Sequence, residues 1–459
     1  MKKNDKIFII VIMGIAFCLL SWMISTGTFA DGAFSSSQIN KAGIFDYFLI
    51  FYYTLYYNCT DIFYLMVLGG TYGVLSQTKS YRKLVSKTAS LIGGKENWVM
   101  LLVTLLMAVF VSFTDNVLAA LIFVPFIITV FLKRGKDKIT AINAAFGGIV
   151  IGLIGQTVGT FGLGQIMDAT DIATSDGIVA KAVVLVAAYV LFNLFAILHM
   201  KKQKLVNDTK SDPFTTEKLD ESGKAKKVKA WPAIVIFVIA GIVSILGYIN
   251  WSDSFGVTIF QDLYTKISNS LVSSVAGSFS AFGYWSDALP LAFIIFVVSV
   301  IFAIIDKMNI NKYLEEFRNG IYKSSKAVLG YYLALTIFIT SYFFNWPITI
   351  INYLLGDGTF NMISILIVGI VGGLFYVDYN YLGYTLGSHL AIVHADNLVK
   401  STAMLHMGWA LSTVLVPSSS LLIYFLSYLD VKYIDWLKYI WKFVLSMFIA
   451  ILIICAIAL

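Results

Sequence analysis

The chain has 459 residues, 59% of them hydrophobic and 13% charged, with a net charge of +7 and a mean hydropathy of +0.82. That balance excludes soluble enzymes and soluble binding modules and marks a polytopic membrane protein. The positive excess sits in lysine clusters in short loops, the pattern of cytoplasmic loop ends rather than of a nucleic-acid surface, so the expected partners are lipid and a small solute, not nucleic acid.

In chain order, a basic start with Lys2, Lys3 and Lys6 precedes an apolar run from Ile7 to Ile24. A signal peptide cleaved near Ala30 is one reading. The run is long for a signal core, so an uncleaved first span leaving a cytoplasmic N-terminus is preferred. A lysine-poor, Ser-rich outer loop follows, and Phe45 to Leu75 returns inward, interrupted by Asn58, Cys59, Thr60 and Asp61. Tyr52, Tyr53, Tyr56 and Tyr57 read as an interfacial aromatic belt, and Gly69 with Gly73 as a close-packing pair.

Residues 98–134 are the most informative stretch. Here an apolar run is broken near its middle by Ser112–Phe113–Thr114–Asp115–Asn116, and both flanks are basic (Lys79, Arg82, Lys83, Lys87, Lys95; Lys133, Arg134, Lys136, Lys138). Arms of about 15 residues give roughly 22 Å of helix, short of a hydrocarbon core of roughly 30 Å. A segment that enters and leaves on one side with a carboxylate at its tip is expected to be a re-entrant hairpin, tolerated only where protein or a cavity surrounds the tip. A broken helix is predicted at 139–167, with its break at Gln156–Thr157–Val158–Gly159–Thr160, ending at the acidic loop of Asp168, Asp171 and Asp176. The span from Ile178 to Met200 returns inward. Residues 201–230 are of mixed charge without apolar periodicity and read as a cytoplasmic linker.

The second half repeats the plan. A span from Trp231 to Ile249 runs outward, an amphipathic stretch covers 255–282, and Ala288 to Ile305 returns to a basic loop with Lys307, Lys312, Arg318, Lys323 and Lys326. Val328 to Phe344 crosses outward again. A second hairpin is predicted at 361–393, with Asp378–Tyr379–Asn380 at its tip, entering from the opposite face. A broken helix follows at 401–425, interrupted at Ser412–Thr413 and Pro417–Ser418–Ser419–Ser420. A final span from Ile434 to Leu459 leaves the C-terminus outside. The expected fold is therefore an all-α integral membrane protein of two inverted repeats, 1–200 and 231–459, each with a re-entrant hairpin and a broken transmembrane helix.

Several stretches resemble the C4-dicarboxylate anaerobic-carrier-like (YfcC-type) family of the ion-transporter superfamily. They are Leu68–Gly69–Gly70–Thr71–Tyr72–Gly73–Val74–Leu75 with the following Ser76–Lys79, Gly94–Lys95–Glu96, the helix from Tyr313 through Gly320 to Leu333, and the terminal Ser418–Ser420 helix leading to Tyr433, Trp436, Lys438 and Tyr439. Their order and spacing cover most of the chain. The resemblance implies a scaffold and a transport domain, a homodimer, and elevator-type movement of small carboxylates or amino acids. The sequence departs from the family pattern at the first tip, where Thr114–Asp115 replaces an acidic pair. It departs at the first break, which lacks proline, and at Trp409, where the family carries an acidic residue.

Broken helices expose N–H groups on one half, which suit a carboxylate, and C=O groups on the other, which suit Na+. The expected substrate- or ion-binding set is Ser112, Thr114, Asp115, Asn116, Gln156, Thr157, Gly159 and Thr160 from the first half. From the second half it is Asp378, Asn380, Ser412, Thr413, Ser418, Ser419 and Ser420. An ionised Asp at bilayer depth costs at least about 2.5–3.5 kcal/mol, so Asp115 and Asp378 need a cation, a proton or a substrate amine. The bland alternative leaves each in an ordinary turn, and has the hydroxyls merely bonding back to the preceding turn. Asp61 and Asp287 read as solvated or capping groups. His389, His394 and His406 lack a metal pattern, and Cys18, Cys59 and Cys455 read as free thiols. The predicted spans are read as free of Arg and Lys.

No cofactor is expected beyond a coupling Na+ or H+. The leading function is a cation-coupled symporter or exchanger of small carboxylates, C4-dicarboxylates ahead of amino acids, with an antiporter of basic amino acids as the alternative. A membrane-embedded enzyme finds no HExxH, Asp-rich phosphate or nucleophile-elbow motif here, no Walker A motif marks an ATP-driven pump, and a channel would need a continuous polar pore.

Overall fold

The computed structural model describes residues 5–159, 164–173, 175–203, 211–214, 230–249, 251–252, 256–270, 273, 282–285, 287–356 and 358–459. The first half comprises α1 (Asp5–Leu20), the strands β1 (Gly27–Ala30) and β2 (Ala33–Ser36), α2 (Ile44–Tyr57), α3 (Cys59–Gln77), α4 (Lys79–Leu91), α5 (Glu96–Thr114), α6 (Val117–Ala120), α7 (Val124–Lys133), α8 (Lys138–Ile154), α9 (Gly164–Thr170) and α10 (Ile178–Lys202). The second half comprises α11 (Trp231–Leu246), α12 (Ile259–Ser268), α13 (Leu289–Ile305), α14 (Ile310–Phe344), α15 (Pro347–Leu355), α16 (Met362–Phe375), α17 (Tyr379–Val393), α18 (Leu398–Ser412), α19 (Ser420–Tyr428) and α20 (Tyr433–Ala458). Five of the described helices (α3, α5, α10, α14 and α20) are long and apolar enough to cross a membrane, and several shorter apolar helices accompany them.

Both predicted helix–tip–helix segments are present as pairs of helices, α5 with α6–α7 and α16 with α17. Both predicted breaks interrupt a helix, α8/α9 and α18/α19. The length reasoning fails for the first pair, since α5 has 19 residues rather than about 15. The ends of that pair are nevertheless joined, because Arg134 reaches Glu96 at 3.0 Å.

Four other expectations change. The outer loop after α1 is not wholly irregular: Asp31 and Gly32, both with positive φ, turn a two-stranded hairpin, so the chain is not strictly all-α. The Phe29 ring of that hairpin packs 4.4 Å from His389 on α17. The basic loop expected at 307–326 is mostly the first part of α14, a 35-residue helix of roughly 52 Å. Its start is capped by Asn309, whose side chain accepts from Lys312 N at 2.8 Å. The stretch after Asn345 is also helical, opened by Pro347 in the first turn of α15. The linker, finally, is not entirely solvated. Phe214 is 1% exposed, with its ring near Tyr72 and Tyr428, and Thr129 Oγ1 donates to Asp212 at 2.6 Å.

Small residues set the helix crossings. A Cβ on Gly73 would lie 2.6 Å from the Gly320 Cα, so α3 and α14 meet backbone to backbone. The same device recurs in each half at the hairpin's first arm. Gly148 brings α8 against the Thr104 carbonyl of α5, and Gly369 brings α16 against Gly408 of α18. These crossings fix the hairpin tips beside the helix breaks. At the other ends of the molecule, Asp430 is held by Lys326 at 2.5 Å and Lys6 at 3.5 Å, whereas Leu459 packs against Gly177 beside the Asp168–Asp176 loop.

Candidate functional site

Four chain breaks converge on one cavity of about 400 Å³. The first tip contributes Asp115, Asn116, Val117 and Leu118, and the second contributes Val377, Asp378, Tyr379 and Asn380. The α18/α19 break supplies Ser412, Thr413, Ser419 and Ser420, while the α8 end supplies Leu153. Asp115 ends α5 in a left-handed conformation (φ 57°), which lets the chain reverse at once into α6. Asn116 then caps α6, its side chain accepting from Ala119 N at 2.9 Å. Asp378 caps α17 by accepting from Asn380 N at 2.9 Å, and Ser419 caps α19 by accepting from Leu422 N at 3.3 Å. Short polar residues at a helix start are favoured for this reason, because they satisfy backbone N–H groups that have no partner in the helix. The starts of α17 and α19 thus present partial positive charge to the cavity, and the end of α18 presents carbonyls.

The expected residues separate into two groups. Asp115, Asn116, Asp378, Asn380, Ser412, Thr413, Ser419 and Ser420 line the cavity together. Ser112 and Thr157 do not line it; they stitch α5 to the break instead. Ser112 Oγ donates to Gly155 O at 2.7 Å, the two hydroxyls are 3.1 Å apart, and Thr157 N donates to Ser112 O at 3.1 Å. Thr114 Oγ1 bonds back to Phe110 O at 2.8 Å. Gly159 lies directly against the first tip: a Cβ there would be 2.8 Å from the Asp115 Cβ. Gln156 turns toward a second, much smaller pocket lined by Ile166, Lys181 and His406, its Nε2 donating to Gly159 O at 2.9 Å. Ser418 is fully buried outside the cavity lining, and Thr160 lies outside the described residues.

The predicted site set left out much of the lining. Asp61 and Asp287, read as solvated or capping groups, both line the cavity, with Tyr248, Tyr331 and Trp409. Tyr331 OH donates to Asp61 at 3.0 Å, and Trp409 Nε1 donates to the Tyr376 carbonyl beside the second tip at 2.9 Å. The signal for Asp61 was the polar interruption Asn58–Asp61. It separates α2 from α3, so Asp61 sits at a helix start inside the protein rather than at a span's outer end. Trp409 gave no polar signal at all. The reading that spans lack lysine fails at Lys181, which is buried in the first turn of α10, away from the large cavity.

The cavity's charge is one-sided. Asp61, Asp115, Asp287 and Asp378 line it, and among the described lining residues none is Lys or Arg. Helix starts and hydroxyls can take a carboxylate, and the four carboxylates can take cations. No group of three or more His, Cys, Asp or Glu side chains placed to hold a metal ion occurs among the described residues.

Comparison with known proteins agrees with a carrier. The family model for the C4-dicarboxylate anaerobic carrier (DcuC) matches residues 4–459, so the chain belongs to that family and is a membrane transporter, not an enzyme. No curated protein matches. Among solved structures, the chain is similar to the YdaH transporter of Alcanivorax borkumensis, described as having an unusual topology. The two share 12% identity over 99% of this chain and 98% of that one, with a TM-score of 0.43.

Proposed function

We propose that this member of the C4-dicarboxylate anaerobic carrier family is a cation-coupled secondary carrier of small carboxylate-bearing metabolites, C4-dicarboxylates first, in the cell membrane. The observation that carries this reading is the cavity in which helix starts and four carboxylates face one another with no Lys or Arg among the described lining residues. A substrate carboxylate sits at the starts of α17 and α19, held by N–H groups and by the hydroxyls of Thr413, Ser419 and Ser420. Na+ or H+ sits at Asp115 and Asp378, with Asp61 on the facing wall.

Charge makes the two loads depend on each other. Like charges about 6 Å apart at an effective dielectric of about 20 repel by roughly 3 kcal/mol. A dianion therefore enters only if cations offset the aspartates, and cations are held better when the dianion is present. That mutual requirement is symport. The two helix pairs act as hairpins dipping from opposite faces in inverted repeats, and the domain carrying them moves against the α3–α14 scaffold in an elevator within a homodimer. The pairing of Glu96 with Arg134 supports the first hairpin, since the chain returns to the level where it started. The N-terminus lies inside and the C-terminus outside, in line with Lys6 and Lys326 gathered at Asp430.

A second reading has its own support. Four aspartates and no basic lining residue also suit a substrate that brings its own ammonium, as in exchange of basic amino acids. Initial uptake of labelled succinate or labelled arginine into proteoliposomes, with and without an imposed Na+ or H+ gradient, separates the readings. Gradient-driven succinate uptake is the expected result, and arginine uptake that needs only internal arginine would replace it with the exchanger. Flux that neither saturates nor responds to a gradient would return the channel to contention.

A further inference from the structure

At the lysine-rich end of the molecule a second crevice, of about 450 Å³, opens between α14, the end of α19, the start of α8 and the docked segment 211–214. Three of the side chains lining it are lysines: Lys138 from α8, and Lys323 and Lys326 from α14. Lys326 is paired with Asp430, which Lys6 also approaches at 3.5 Å. Lys138 and Lys323 form no ion pair among the described residues. The other nearby carboxylate, Asp212, feels the charge of Lys323, accepts from Thr129 Oγ1 at 2.6 Å and accepts from Phe214 N at 2.9 Å. Among the described residues around the crevice, Lys6, Lys138, Lys323 and Lys326 thus stand against Asp212 and Asp430. The crevice wall also holds Ser427 and Tyr428, 2% and 5% exposed, whose hydroxyls have no hydrogen-bond partner among the described residues. A buried hydroxyl without a partner forgoes about 1–3 kcal/mol, and two beside an excess of positive charge ask for an acceptor-rich anion.

We propose that this crevice binds a phosphate group, which ties the start of α8 and the end of α19 to the long helix α14. A phosphate offers acceptor oxygens in several directions, enough for three ammonium groups and two hydroxyls, where a planar carboxylate offers two oxygens in one plane. The same chemistry is carried by a free phosphate and by an anionic phospholipid headgroup at this membrane level. The crevice is separate from the large cavity, and the inference stands whatever the transported substrate is.

The test uses the full-length protein in a non-ionic detergent. In one arm the thermal unfolding midpoint is followed against inorganic phosphate and pyrophosphate at constant ionic strength, with chloride and succinate as controls. In the other, native mass spectrometry compares retention of phosphatidylglycerol with that of phosphatidylcholine. The expected result is a saturable upward shift or selective phosphatidylglycerol retention, with apparent affinity at least tenfold weaker in Lys138→Gln/Lys323→Gln. Tyr428→Phe, which keeps the packing, should weaken binding severalfold. A positive phosphate arm alone identifies a free phosphate, and a positive lipid arm alone identifies a headgroup. No response beyond the controls in either arm, or equal binding by Tyr428→Phe and a folded lysine variant, overturns the proposal.

Discussion

Gly159→Ala is the smallest change that reaches the first tip without touching a charged group. The added Cβ would lie 2.8 Å from the Asp115 Cβ, 3.0 Å from the Asp115 N and 3.0 Å from Gln156 Nε2. Carbon atoms rest at about 3.5–4.0 Å, so the tip must retreat by roughly 1 Å, at an overpacking cost of about 1–3 kcal/mol. Gly159 does not have a positive φ, so alanine meets no backbone obstacle there and the effect is steric. A shift of that size in a binding group is enough to lower a rate by one to two orders of magnitude, by analogy with misplaced catalytic groups. Initial uptake into proteoliposomes should therefore fall at least tenfold, while the protein still purifies as a folded species with a modestly lower unfolding midpoint. Gly164→Ala is the matched control, because a Cβ there meets no described residue within 4 Å and uptake should hardly change. Wild-type uptake by Gly159→Ala, or an equal loss in both variants, would refute the placement of Gly159 against the tip.

Trp409→Phe keeps the ring but leaves the Tyr376 carbonyl without its donor, a loss of about 1–3 kcal/mol concentrated at the second tip. Uptake should drop more than thermal stability does; an unchanged KM and rate would remove Trp409 from any role there. Tyr331→Phe deletes the hydrogen bond from α14 to Asp61 and should shift the cation-concentration dependence of uptake, read as a changed half-saturating cation level. The docked linker segment gives a pH signature. Burial lifts the Asp212 carboxyl to about 6, against the hydrogen bonds of Thr129 and Phe214 N and the charge of Lys323. Because its docked value lies above the ordinary value of about 3.9, docking is favoured below that pH and loses support as pH rises through about 6. Linker cleavage by a protease, corrected with a reference peptide, should rise over that window in the wild type and stay flat in Asp212→Asn; faster cleavage toward acid would contradict the sign.

The helix ends and tips were legible because polar groups in an apolar run are costly and so stand out against their surroundings. Asp115–Asn116, Asp378 and Ser418–Ser420 are such places, and each lies at a chain break. Which of those polar groups face the cavity was not legible. Ser112 and Thr157 have the same chemistry as Ser412 and Thr413, and only the crossing of α5 over the first break turns them onto each other. Asp61 was misjudged because a carboxylate close to a predicted span end is usually solvated. The Asn58 break moves that end into the protein. The basic start of α14 read as a loop, since a helix longer than the bilayer carries Lys, Glu and Arg where it leaves the lipid. Trp409 and the β-hairpin gave no hydropathy signal, as each acts through tertiary contacts with residues far away in sequence.

The most direct measurement is cation-driven substrate accumulation by Asp115→Asn in proteoliposomes. Neutralising one wall of the acidic cavity should abolish accumulation driven by Na+ or H+, or uncouple it from the gradient, with expression and folding near normal. Wild-type kinetics and wild-type gradient dependence in that variant would show that substrate and cation do not share this cavity.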